Sequence, residues 1–178
     1  NTITLFDFGH DEEKGIYFIE MELLEGSNLA DAIDSGGPIE PSRVYHITVQ
    51  LLRSLREAHE KGLVHRDLKP ENIFLVDGIS GEADFVKVLD FGIAREQGEA
   101  DRLTLQGQVV GTPQYMAPEQ ATGGPLLAST DVYAVGLLLF EMLTGRQPYS
   151  ANTLFAIMNM QVSMPMPDLP GALATSVF

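Results

Sequence analysis

From Asp131 to Leu143 the chain is apolar on nearly every face, and that segment dictates the rest of the architecture. A helix with no polar stripe must be enclosed on all sides. The run from Val132 to Leu143 carries Glu141 and is too short to span a bilayer, so the enclosing material has to be protein. Neighbouring segments supply it. Pro41 suits the first turn of a helix on which Val44, Ile47, Thr48, Leu51, Leu55 and Ala58 form one apolar stripe, closed by Gly62. A shorter helix is capped by Ser27 or Asn28, runs through Ile33 and stops at Gly36-Gly37-Pro38. Another lies around residues 153–161, ahead of a Pro-rich tail. Ile3, Leu5 and residues 16–24 read as strands around the polar turn 11–15, and residues 73–76 and 85–89 as two more. The fold class is therefore α+β, mainly helical, with no internal repeat.

A chain of 178 residues suffices for one domain with a real core. Its net charge of −14, with eleven scattered basic residues, argues against a nucleic-acid ligand, which needs clustered Lys and Arg. An acidic surface suits basic peptide partners, or serves solubility alone. No cysteine is present, which removes disulfides, thiolate metal sites and a Cys nucleophile. His10, His46 and His59 show no ligand spacing and read as surface or core histidines. No segment has the pattern of a signal peptide or a spanning helix. The first residue, Asn1, is not a methionine, as in a fragment.

Residues 63–72 are polar and charged between two apolar elements. If strand 73–76 pairs antiparallel with strand 85–89, the start of one lies beside the end of the other. Asp67, Lys69 and Asn72 then converge with Asp90. Two carboxylates, an amide and an ammonium in one volume suit Mg²⁺ with substrate phosphates in its shell, and hence phosphoryl transfer. The irregular stretch 92–118 is longer than an ordinary compact loop, a length usually functional or disordered.

Three motifs carry a family resemblance. His65-Arg66-Asp67-Leu68-Lys69-Pro70-Glu71-Asn72 resembles the protein-kinase catalytic loop, Asp90-Phe91-Gly92 the metal-binding motif, and Ala117-Pro118-Glu119 the end of the activation segment. Each short motif is weak alone; the eight-residue loop is specific, and the order and spacing of all three are decisive. Lys69 and Gly111-Thr112-Pro113 are similar to the serine/threonine members, and Gly92-Ile93-Ala94-Arg95 to the eukaryotic-like kinases of bacteria.

The resemblance implies roles residue by residue. Asp67 takes or orients the substrate hydroxyl proton, and Lys69 steadies the γ-phosphoryl group of ATP. Asn72 and Asp90 hold Mg²⁺. Met21 sits behind the adenine, Glu22 and Leu24 pair with it through backbone groups, Phe74 floors the pocket and Asn28 reaches the ribose; for Met21 and Phe74 plain core packing is the alternative. Arg66 and Arg95 form a cationic pocket for a phosphate on Thr104, unless Thr104 is merely a solvated loop residue. Thr112 bridges Asp67 and Lys69. His65 packs on Phe91 in a buried column that includes Leu5, and Asp131 holds the catalytic-loop backbone.

The same resemblance implies one partial kinase domain, with residues 1–25 as the end of the small lobe and hinge and 26–178 as a truncated large lobe. The Gly-rich loop, the phosphate-binding strand lysine and the last large-lobe helices are missing; none of Lys14, Lys61, Lys69 and Lys87 has the required strand context. Glu119 lacks the late arginine that normally neutralises it, which leaves a buried carboxylate unpaired. The implied activity is ATP-dependent phosphorylation of Ser/Thr in proteins, with the 178-residue piece alone weak or inactive. The alternative is a non-enzymatic kinase-like lobe that binds a partner. The implied location is cytoplasmic, with any membrane anchor outside this chain.

Overall fold

The computed structural model describes residues 1–12, 14–78, 84–91 and 112–171. They form two small antiparallel sheets and five helices. Strands β1 (Leu5–Asp11) and β2 (Ile16–Met21) make a hairpin in which Leu5 faces Met21 and Asp11 faces Ile16. Its turn closes by a Gly15 N–H bond to the Asp11 carbonyl at 2.8 Å, with Gly15 at φ 64°.

The second sheet has three strands where the sequence pattern suggests two. β3 (Gly26–Asn28), β4 (Ile73–Val76) and β5 (Phe85–Val88) lie in that order, all antiparallel. Gly-Ser-Asn has little strand propensity and reads as a break. Close approach makes it a strand: Gly26 adopts φ 144°, and a Cβ there would lie 2.1 Å from the Leu75 carbonyl oxygen. Backbone cannot move aside as a side-chain tip can. Gly26→Ala is therefore expected to destabilise the fold by about 2–4 kcal/mol, read as a lowered urea midpoint. An unchanged midpoint rules out this account of β3.

Helix α1 (Leu29–Gly36) starts where the Asn28 side chain accepts the Asp31 N–H at 2.9 Å and stops at Gly37, φ 67°. Helix α2 (Pro41–Glu60) has Pro at its first position and the Glu40 carboxylate accepting from the Ser42 and Arg43 N–H groups. Gly62 follows it at φ 76°. Helix α3 (Pro118–Thr122), unforeseen in the sequence, ends at left-handed Gly123. Helix α4 (Ala128–Thr144) begins three residues before Asp131, and Thr153 caps α5 (Leu154–Ser163) through the Ala156 N–H.

The core lies where α4 and α2 meet the three-stranded sheet, with Ile47, Leu51 and Leu55 of α2, Ile73, Val86 and Val88 of the sheet, and Leu137, Leu138 and Met142 of α4 all enclosed. Burial of that apolar area is what holds these elements together. The β1–β2 hairpin stands apart from this core. Its side chains are exposed almost throughout, and it reaches the rest of the chain through edge contacts: the Ile3 N–H bonds Val88 O at 3.1 Å, and Lys87 meets Glu22 at 2.7 Å. The buried column expected to include Leu5 is accordingly not closed there, since Leu5 is 42 % exposed.

Candidate active site

The loop after α2 is shaped by one buried carboxylate. Asp131, 1 % exposed in the first turn of α4, accepts the His65 N–H at 2.8 Å and the Arg66 N–H at 2.9 Å, and hydrogen-bonds the His59 ring at 2.7 Å. Between these bonds and Asp67, Arg66 takes φ 68°. A left-handed non-glycine residue costs about 1–2 kcal/mol and persists only when its surroundings over-determine it. Gln120 of α3 adds to that grip, donating from Nε2 to the Arg66 carbonyl at 2.7 Å.

Asp67 follows directly. Lys69 Nζ lies 3.7 Å from its carboxylate, and Asn72 Nδ2 donates to its backbone carbonyl at 2.9 Å. A 3₁₀ turn over Pro70–Asn72 then leads into β4. Ile73 is opposite Val88, and the Leu89 N–H bonds the Asn72 carbonyl at 2.8 Å, so Asp90 follows beside Asn72. Asp90 is exposed, at φ 51°. The fully buried His65 braces this end as well: its Nε2 meets the Leu89 carbonyl at 2.8 Å and its ring packs on Phe91, centroids 4.9 Å apart.

Asp67, Lys69, Asn72 and Asp90 thus come together from the ends of two paired strands. The donor chemistry fits Mg²⁺. With its nitrogen committed to Asp67, the Asn72 amide keeps Oδ1 without a partner among the described residues, and Asp90, which follows the Leu89 that bonds the Asn72 carbonyl, is exposed. Both are hard oxygen donors, and this cation takes only a few from protein.

The residues expected around a nucleotide divide into two groups. Asn28 and Phe74 are opposite one another in the β3–β4 pair, with Phe74 half-buried. Asn28 Oδ1 is engaged as the α1 cap, which leaves its amide nitrogen without a partner among the described residues. Met21 ends β2 and is 40 % exposed, and Leu24 is half-buried. Glu22 exchanges backbone and side-chain bonds with Thr4 and meets Lys87, whose ammonium holds the Glu22 carboxyl below the usual carboxylate range. Lys87 does stand on a strand, β5, and its charge is taken up there by Glu22.

Arg95 and Thr104 lie outside the described residues, as do Gly92 and Gly111. Thr112 is extended, and among the described residues its hydroxyl has no hydrogen-bond partner; Lys69 Nζ itself lies 3.7 Å from the Asp67 carboxylate. Glu119 is also unlike the expectation. It is only half-buried and has a partner, the Thr130 hydroxyl, which donates at 2.7 Å. A neutral donor from the first turn of α4 thus stands in place of the expected arginine.

Several supporting residues carried no signal of their own in the sequence. His59 reads as an unremarkable helix histidine, yet it contacts Asp131 across 72 positions. Gln161 of α5 donates to the Pro113 and Gln114 carbonyls at 2.7 and 2.9 Å, pinning the 3₁₀ turn Pro113–Tyr115. Tyr115 in turn donates to Glu141 at 2.6 Å. Burial, chiefly, raises the pKa of Glu141 despite that bond, with the charges of Glu71 and Asp34 adding to it. A raised carboxyl pKa means the folded state holds the proton more tightly, so stability falls as pH rises from the unfolded value through the folded one. Glu141→Gln is thus expected to gain stability relative to the parent as pH rises above about 4.5. Urea midpoints from pH 4 to 8 test this; a constant difference rules it out.

The Protein kinase domain family model matches residues 1–170. Over 156 residues, 86 % of the chain, it is 45 % identical to serine/threonine-protein kinase pkn3 of Myxococcus xanthus, covering 28 % of that protein. It is 39 % identical to serine/threonine-protein kinase PrkC of Bacillus subtilis, with 88 % of the chain and 23 % of the relative covered. It is 35 % identical to serine/threonine-protein kinase PknB of Mycobacterium leprae, with 85 % and 24 % covered. The chain spans about a quarter of the length of these relatives. With 170 of its 178 residues matched and its motif residues gathered at one strand end, the chain belongs to the protein kinase domain family.

Proposed function

We propose that this chain carries the phosphoryl-transfer centre of a serine/threonine protein kinase of the bacterial, eukaryotic-like type. The observation that supports this most is the Arg66–Asp67 peptide. It is strained, braced by Asp131 and Gln120, and presents Asp67 beside Lys69 and within one strand end of Asn72 and Asp90. Strain is maintained where geometry matters to chemistry. Residues 1–25 form the end of the small lobe and the hinge, and residues 26–178 the large lobe.

In the reaction the Ser/Thr oxygen of a protein substrate bonds to the γ-phosphorus of ATP, the bond to the β-phosphate oxygen breaks, and ADP leaves. The Asp67 carboxylate orients the hydroxyl and takes its proton. Lys69 offsets charge on the transferred phosphoryl oxygens. Asn72 and Asp90 would hold Mg²⁺, which when bound offsets charge on the phosphates. Met21, Glu22, Leu24, Asn28 and Phe74 line the nucleotide side. Arg66 and Arg95 receive a phosphorylated Thr104, and Thr112 positions the acceptor loop. ATP puts the reaction in the cytoplasm. No helix among the described residues is long and apolar enough to cross a membrane.

The test is transfer of radiolabelled γ-phosphate to Ser/Thr of a protein substrate by the natural full-length protein, with Asp67→Ala as control. Transfer that survives Asp67→Ala, or label on tyrosine alone, rejects the assignment.

A further inference from the structure

Gln120 is bound at both ends of its amide, and each end faces a different backbone. Its Oε1 accepts the Ala117 N–H at 2.9 Å, and its Nε2 donates to the Arg66 carbonyl at 2.7 Å. The two contacts determine the amide orientation, since a reversed amide would set oxygen against carbonyl and nitrogen against N–H. The carbonyl it holds belongs to the peptide joining Arg66 to Asp67. Asp131 holds the N–H on the other side of Arg66, at 2.9 Å. Between these anchors Arg66 sits at φ 68°, a conformation that relaxes once released. Rotation of that peptide swings the Cα–Cβ bond of Asp67, and displacements of about 1 Å suffice to impair a positioned catalytic group.

We propose that Gln120 is a positioning residue for Asp67: it locks the Arg66–Asp67 peptide and ties it to the segment ending at Ala117. This rests on the reading of Asp67 as the group that takes the hydroxyl proton. That segment is itself anchored, because Gln161 of α5 holds the Pro113 and Gln114 carbonyls. Ala117, where Gln120 joins it, is fully buried. Gln120 therefore carries the position of the Pro113–Ala117 segment to the residue before Asp67, through one side chain.

Two substitutions in the natural full-length protein separate its two bonds. Gln120→Glu keeps an oxygen for the Ala117 N–H but loses the donor to Arg66. Gln120→Met loses both. In each variant kcat is expected to fall by about tenfold or more, with KM for ATP changed less than about twofold. Amide hydrogen exchange at residues 65–67 is expected to speed up in both. As pH falls, Gln120→Glu regains rate relative to the parent, because a protonated carboxyl donates to the Arg66 carbonyl; Gln120→Met does not. Wild-type kcat in Gln120→Glu alongside a loss in Gln120→Met assigns the effect to the Ala117 contact and overturns the proposal. Unchanged exchange at 65–67 overturns it equally. Should the parent show no Asp67-dependent transfer, the kinase reading falls by itself, and the exchange data still decide whether Gln120 locks this peptide.

Discussion

Asp131→Ala is expected to lower the stability of the fold by about 3–5 kcal/mol and to abolish whatever depends on the loop before β4. The carboxylate is 1 % exposed and takes two backbone N–H groups and the His59 ring. Alanine leaves both N–H donors without their acceptor, at about 1–3 kcal/mol each. One opposing effect exists. Freed from Asp131, Arg66 can leave φ 68° and recover about 1–2 kcal/mol of strain. The lost bonds outweigh that gain, and the loop is both destabilised and reshaped. Asp131→Asn retains one acceptor but turns an NH₂ group toward a donor, so its loss is intermediate. The urea midpoint of each variant is the measurement. A shift below about 1 kcal/mol for Asp131→Ala means that the loop is supported elsewhere.

What could be read in advance follows from where each signal resides. Helices α2 and α4 are legible because burial imposes a period or a saturation of apolar residues on many consecutive positions, and Asn28 and Gly62 mark ends by their own backbone chemistry. β3 is hidden because three residues without strand propensity become a strand through the close approach of Gly26 to Leu75. Five-residue α3 is too short to show a period. At the site, Asp67, Lys69, Asn72 and Asp90 occur in compact motifs, whereas their supports do not. Gln120, His59 and Gln161 are ordinary polar residues whose partners lie 54, 72 and 48 positions away, and nothing local distinguishes them. Glu119 and Leu5 show the opposite error. A family pattern specifies which partners are customary, while the chain supplies a Thr130 hydroxyl to the first and leaves the second exposed.

Asp67 and Lys69 carry the largest expected effect on rate with almost none on stability. Both side chains are about a quarter exposed and their charged atoms are 3.7 Å apart. A partly screened pair whose charged atoms stand beyond hydrogen-bonding distance contributes about 0–1 kcal/mol to folding, so Asp67→Ala and Lys69→Ala leave the urea midpoint nearly where it was. Their kinetic effects are another matter. If Asp67 is the proton acceptor as proposed, removing it costs about 10²–10⁴ in kcat. Losing a preorganised charge at the phosphoryl group costs about 10²–10³. Under the proposed assignment these losses are not independent, because Lys69 Nζ lies 3.7 Å from the Asp67 carboxylate and both would act on one transition state. Groups that act as a unit are strongly non-additive, so the double variant is expected to be little slower than Asp67→Ala alone. Steady-state transfer with the four proteins of the cycle gives the answer. If the two losses multiply, the residues act separately and the 3.7 Å contact has no part in catalysis. Should Asp67→Ala retain transfer within about tenfold of the parent, the proton has another acceptor and the assignment of Asp67 is wrong.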